Sequence, residues 1–163
     1  LEHMTIKERI TSIKSAYSLL PENNFLCISG TPNRLHFLDS HTSHIPFFHW
    51  LPDNLAIEYS KYSIRTQYRD HIEEIEDDNE KLIQLYRWGR GISFHEIELA
   101  IKPLKDIHII SNLITYRNSK GIIYPILSRF TYNYLYTSLL RNKFPKINRA
   151  FLESYLNLII KKL

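Results

Sequence analysis

Five side chains between positions 36 and 49 are the ones best suited to chemistry. They are His36, Asp39, His41, His44 and His49, in the segment Leu35-His36-Phe37-Leu38-Asp39-Ser40-His41-Thr42-Ser43-His44-Ile45-Pro46-Phe47-Phe48-His49-Trp50. Imidazole and carboxylate are ligands of zinc, iron and other transition metals, and a catalytic centre built from them keeps three protein ligands and one open position. The spacings follow no His-Glu-x-x-His pattern, so a metal-dependent enzyme is one alternative beside the plainer one of hydrogen-bonded or exposed loop histidines. A nucleophile would be the single cysteine, Cys27, in Phe25-Leu26-Cys27-Ile28. No helix start or sequence-adjacent base is there to lower its pKa, and it is expected as a buried small hydrophobe. There is no Gly-x-Ser-x-Gly elbow, and none of the four glycines falls in a phosphate-binding loop. The sequence requires no cofactor and points away from an enzyme.

Charge divides the chain. Residues 1–100 hold ten Lys/Arg against fifteen Asp/Glu, whereas residues 101–163 hold eleven against two. The basic C-terminal third suits nucleic acid, an acidic partner, or the acidic part of its own chain. Arg141, Lys143, Lys146 and Arg149, interleaved with Tyr132, Tyr134 and Tyr136, are the candidates to contact phosphates while rings stack on bases. Residues 84–113 thread as a helix-turn-helix, with 93–101 first and 106–114 second. The would-be recognition helix carries no Arg or Lys over 106–112, and its β-branched residues favour a strand.

The elements that must position these groups begin with a helix. Thr5-Ile6-Lys7-Glu8 is a capping box, apolar residues follow at helical spacing, and Pro21 ends the run. Leu1-Glu2-His3-Met4 reads as a cloning scar ahead of a start methionine. Residues 25–38, with Gly30-Thr31-Pro32-Asn33 between two apolar runs, predict a β-hairpin. Residues 55–62 and 65–87 predict helices, the second with an acidic outer face. Residues 107–116 and 121–128 predict a second hairpin, with Pro125 placing its second strand at an edge or bulge. Residues 94–103 fit either a strand or, through Ser93-Phe94-His95-Glu96, a capped helix. Helices are expected over 131–142 and 148–162, the latter apolar enough to require docking.

One cysteine excludes a disulfide scaffold, no apolar stretch reaches membrane-spanning length, and no signal peptide precedes the first helix. A cytoplasmic protein without a membrane partner is expected, with residues 5–163 as a single globular domain. With 94–103 taken as a strand, the element order resembles that of PAS-type sensor domains. The resemblance covers residues 5–130 and rests on hairpin 25–38, helices 40–88 and the apolar runs 94–103, 107–116 and 121–128. It implies an α+β fold, with an antiparallel sheet of about five strands, two N-terminal and three C-terminal. Helices would lie over one face, and basic C-terminal helices (131–163) would flank the core. It further implies a regulatory sensing or protein-interaction module, possible in a transcriptional regulator, that takes a small ligand or protein partner. Phe37, Phe47, Phe48, Trp50 and Tyr86 would line the pocket, and a homodimer would form through helix 5–20 or 148–162.

Overall fold

The computed structural model of the protein describes residues 1–112 and 132–163. It has α+β architecture. Among the described residues the α-helices are α1 (Ile6–Leu19), α2 (Asp53–Tyr59), α3 (Thr66–Glu73), α4 (Asp78–Arg87), α5 (Phe94–Ala100) and α6 (Tyr132–Lys143). The strands are β1 (Phe25–Pro32), β2 (His108–Asn112) and β3 (Tyr155–Lys161).

The strands form one antiparallel sheet in the order β1-β3-β2. Phe25 pairs with Lys161 at one end of the β1–β3 ladder and Pro32 with Tyr155 at the other, and Ile109 of β2 faces Ile160. The β1–β3 register slips between Ile28 and Thr31, where Gly30 takes φ +70°. The Asn157 side-chain oxygen satisfies that bulge, accepting from the Gly30 amide (3.0 Å) and the Ser29 hydroxyl (3.2 Å). Leu156, Leu158 and Ile160 alternate inward along β3 and meet Ile13 of α1 and Ile97 of α5 in the main core. A second core lies between the helices and the long loop, around Phe48, Tyr68, Ile72 and Leu85.

A sheet of about five strands is thus replaced, among the described residues, by one of three. Residues 34–38 do not return along β1, because the chain stays extended through Gly30 to Pro32 and β3 takes the pairing edge. The C-terminal segment is not a helix over 148–162. It forms a short 3-10 turn (Arg149–Leu152) and then β3, which leaves no helix there to dimerise through. Its apolar residues fit both periods, and burial of alternate side chains in a central strand decides for the sheet. Residues 94–100 are helical, with the Ser93–Glu96 capping box formed. Residues 108–112 are a strand, so the helix-turn-helix lacks its second helix. The single helix over 65–87 is two. The break puts Asp77 and Asp78 at the favourable N-terminus of α4. The Asp77 carboxylate caps that end, accepting from the Glu80 amide at 2.8 Å. Of the hairpin 107–116/121–128, the turn and second strand lie outside the described residues.

The first four residues are docked on the fold. The Glu2 carbonyl accepts from Arg9 Nη2 (2.9 Å) and the Arg90 amide (3.1 Å), and Leu1 packs on the main core.

Candidate functional site

The loop from Asn33 to Asp53 holds nearly all the residues with chemical potential, and buried polar groups fix its shape. Asn33 enters it fully satisfied: its amide donates to the carbonyls of Phe151 and Glu153 (2.7 Å each), and its oxygen accepts from the Leu35 amide at 3.0 Å. Farther along, Leu38 bridges Pro46, and the Phe47 amide donates to the Phe37 carbonyl. This closes a compact sub-loop with Asp39 inside.

The Asp39 carboxylate is the organiser of that sub-loop. Its two oxygens accept from the amides of His41 (3.0 Å), Thr42 (2.8 Å) and Ser43 (2.7 Å) and from the Ser43 hydroxyl (2.8 Å). Nε2 of buried His49 lies 3.3 Å away. Burial alone would raise the Asp39 pKa, but the hydrogen bonds from His49 and from the amides of Ser43 and Thr42 outweigh it and hold the carboxyl well below its usual range. The other His49 nitrogen accepts from the Gly91 amide at 3.4 Å. With both ring nitrogens engaged, His49 is a brace and not a base.

Two buried arginines tie this loop to the rest. Arg90 donates to the carbonyls of Phe48 (2.7 Å) and Leu51 and to Asp53 Oδ1 (3.1 Å), and stacks over the Phe48 ring. Arg9 uses all five of its N–H groups: Nε on Met4 O, Nη1 on Gly91 O and Glu96 Oε2, Nη2 on Glu2 O and Arg90 O. Burial lowers the pKa of both guanidiniums, and Glu96 and Asp53 offset part of that cost. The tight turn Gly89-Arg90-Gly91 is needed for these contacts. A Cβ at Gly91 would stand 2.9 Å from the Arg34 backbone, and one at Gly89, whose φ is +114°, would stand 2.7 Å from His41 Nδ1.

The five expected metal ligands are therefore dispersed. Asp39 and His49 are spent on each other and on the loop. His36 is buried, with Nδ1 against the Leu38 backbone at 3.1–3.3 Å, and His44 is exposed at φ 59°. His41 alone enters a convergent group, and its companions are Glu2 and His3, with all three ligand atoms within 4.8 Å of one another. Both companions belong to the Leu1-Glu2-His3-Met4 segment that reads as a cloning scar ahead of the start methionine.

The aromatic candidates divide in two. Phe48 and Tyr86 are core residues. Phe48 is set edge-on to Tyr68, and Tyr86 donates to Asp53 Oδ2 at 2.6 Å. Burial, with Asp53 close by, pushes the Tyr86 phenol up to about 12. Phe37, Phe47 and Trp50 instead form a ledge, with centroids 6.1 Å apart for Phe37–Phe47 and 5.0 Å for Phe47–Trp50. Phe47 and Trp50 are each 49% exposed, unusual for rings held on a braced loop. Tyr136 of α6 completes the ledge, 4.9 Å from Phe37, its hydroxyl donating to the Leu35 carbonyl at 3.0 Å. Arg141, Lys143 and Lys146 are exposed farther along the same segment, and Arg149 lies in the 3-10 turn. Cys27, expected to be buried, is exposed on β1, where Ile28 takes the inward position.

No protein-family model, curated protein or solved structure matches the chain. Among the described residues, no helix is long and apolar enough to cross a membrane.

Proposed function

We propose that the protein is a regulatory recognition module that takes a planar ligand, or a partner's planar side chain, on the ledge of Phe37, Phe47 and Trp50. The observation that carries this reading is the half-exposure of Phe47 and Trp50 on a loop immobilised by Asp39, Arg90 and Asn33. Rings fixed in advance lose little conformational freedom on binding, so stacking on them is not offset by an ordering cost. The buried histidine and carboxylate of the same loop act as its scaffold.

The test is ligand-observed NMR with a panel of planar aromatic fragments, comparing the native protein with Phe47→Ala and Trp50→Ala. Fragments that bind the native protein and lose contact with both variants support the reading. A panel with no variant-dependent binder overturns it.

A second reading, single-stranded nucleic acid, is favoured by one contact: Tyr136 joins the ledge to the basic helix α6. It predicts oligonucleotide binding that weakens steeply with salt and with neutralisation of Arg141, Lys143, Lys146 and Arg149.

A further inference from the structure

We propose that the planar ligand of the ledge is an acid, its carboxylate or phosphate oxyanion held by the Arg34 guanidinium while its ring stacks on Trp50. This rests on the ledge reading and adds to it a charge and an end-to-end orientation.

Arg34 is placed beside the ledge by the same groups that brace the loop. Its amide donates to the Ile92 carbonyl at 2.9 Å, and its Nε donates to the His49 carbonyl at 3.0 Å. That carbonyl belongs to the peptide bond leading into Trp50, so Nε stands within about 6 Å of the Trp50 Cα. His49 is itself fixed, with Asp39 on one ring nitrogen and the Gly91 amide on the other. A guanidinium so close to the Trp50 backbone is within reach of an acidic substituent on a ring stacked over the indole.

The far end of the Arg34 fork is unspent. Among the described residues neither Nη1 nor Nη2 makes a hydrogen bond, and neither atom is buried. Asp53 Oδ1 lies 3.8 Å from Nη2, beyond hydrogen-bond range. That carboxylate is instead taken up by Arg90 Nη2, at 3.1 Å from Oδ1, and by the Tyr86 hydroxyl, at 2.6 Å from Oδ2. Arg34 and Arg90 thus face one carboxylate between them, and a positive charge is left over at Arg34, the partly exposed member. An oxyanion can accept from both terminal nitrogens side by side, as carboxylates and phosphates do on arginine, and it displaces no hydrogen bond of the structure.

Isothermal titration with naphthamide, naphthoate and naphthyl phosphate tests this. The native protein is expected to bind at least one of the acids about tenfold or more tighter than the uncharged amide, and the tighter acid identifies the oxyanion. In Arg34→Gln that advantage should vanish while the amide, which reads the ledge alone, binds as before. Arg34→Lys keeps the charge without the fork and should keep only part of the advantage; it decides the matter if Arg34→Gln loses the amide as well. Trp50→Ala should weaken all three probes, and Arg141→Gln combined with Lys143→Gln should leave the advantage intact. Equal binding of acids and amide, or an advantage that survives both Arg34 variants or is lost with the α6 pair instead, overturns the proposal and leaves the ledge standing. No binding of any probe, or binding indifferent to Trp50→Ala, overturns the ledge reading and this one with it.

Discussion

Asp39 Oδ1 lies 3.3 Å from His49 Nε2, and through that contact the carboxylate holding turn 39–43 is joined to the imidazole seated on Gly91. The buried pair and its contact with Gly91 latch the turn to a segment far along the chain, beside the bonds from the Thr42 hydroxyl to the Trp88 and Gly89 carbonyls. Every other hydrogen bond to the Asp39 carboxylate comes from its own turn, so the pair carries the carboxylate's position to the Gly89-Arg90-Gly91 segment.

This latch is expected to fail in acid. The unfolded carboxyl titrates near about 3.9, and the folded one titrates lower. Its stabilisation is therefore complete above roughly pH 5 and is lost as pH falls through the unfolded value towards the folded one. Urea unfolding measured at a series of pH values checks this. The native midpoint should drop on acidification, and Asp39→Asn should start lower at neutral pH and fall less steeply.

Arg9 makes a sharper case. Replacing it with Met removes the cation opposite Glu96 and one hydrogen bond from each of four carbonyls. A loss of about 3–5 kcal/mol is expected, the range for breaking a buried pair from one side. Arg9→Met combined with Glu96→Leu should cost less than the two single changes added together. Strict additivity in that double-mutant cycle would show that the pair is not coupled.

The glycines separate backbone strain from close packing. Gly30 has no atom within 4 Å of a built Cβ, so Gly30→Ala meets only its positive φ and should cost about 1 kcal/mol. Gly91→Ala drives a methyl into the Arg34 backbone and should cost about 3 kcal/mol. Thermal melts of the two variants order them, and equal melting temperatures would contradict the crowding at Gly91.

Ledge variants should behave differently again. Phe47→Ala and Trp50→Ala remove half-exposed rings, so their effect on stability should remain within about 1 kcal/mol, near the range for surface sites. Phe48→Ala, a few atoms away but buried against Tyr68, should cost about 3–5 kcal/mol. A denaturant series on the three variants reads this contrast directly.

Much of the local structure was legible in the sequence because it is written in local chemistry. The Thr5–Glu8 and Ser93–Glu96 capping boxes both form, and α6 falls within two residues of its expected span. What escaped depended on partners far along the chain. Tyr155-Leu156-Asn157-Leu158-Ile159-Ile160 satisfies helical and alternating patterns alike, and only pairing with β1 and β2 resolves it. The histidine cluster drew attention by density, yet Asp39 and His49 turn inward to meet amides that no spacing rule reveals. Among the aromatics, composition marked five rings, but the brace around Phe48 and Tyr86 decided which were core and which were ledge.

The position of β3 sets the timing of assembly. Among the described residues β1 and β2 share no hydrogen bonds and meet through this strand, which is the last of the three in sequence. During translation the sheet cannot close until residue 161 has left the ribosome, so β1 emerges early and waits through most of synthesis with its pairing edge bare. Such long-range closure is slow, and an unpaired strand edge invites the wrong neighbour. A nascent chain stalled before residue 155 should therefore remain protease-sensitive in β1 and engage chaperones, whatever the state of its helices.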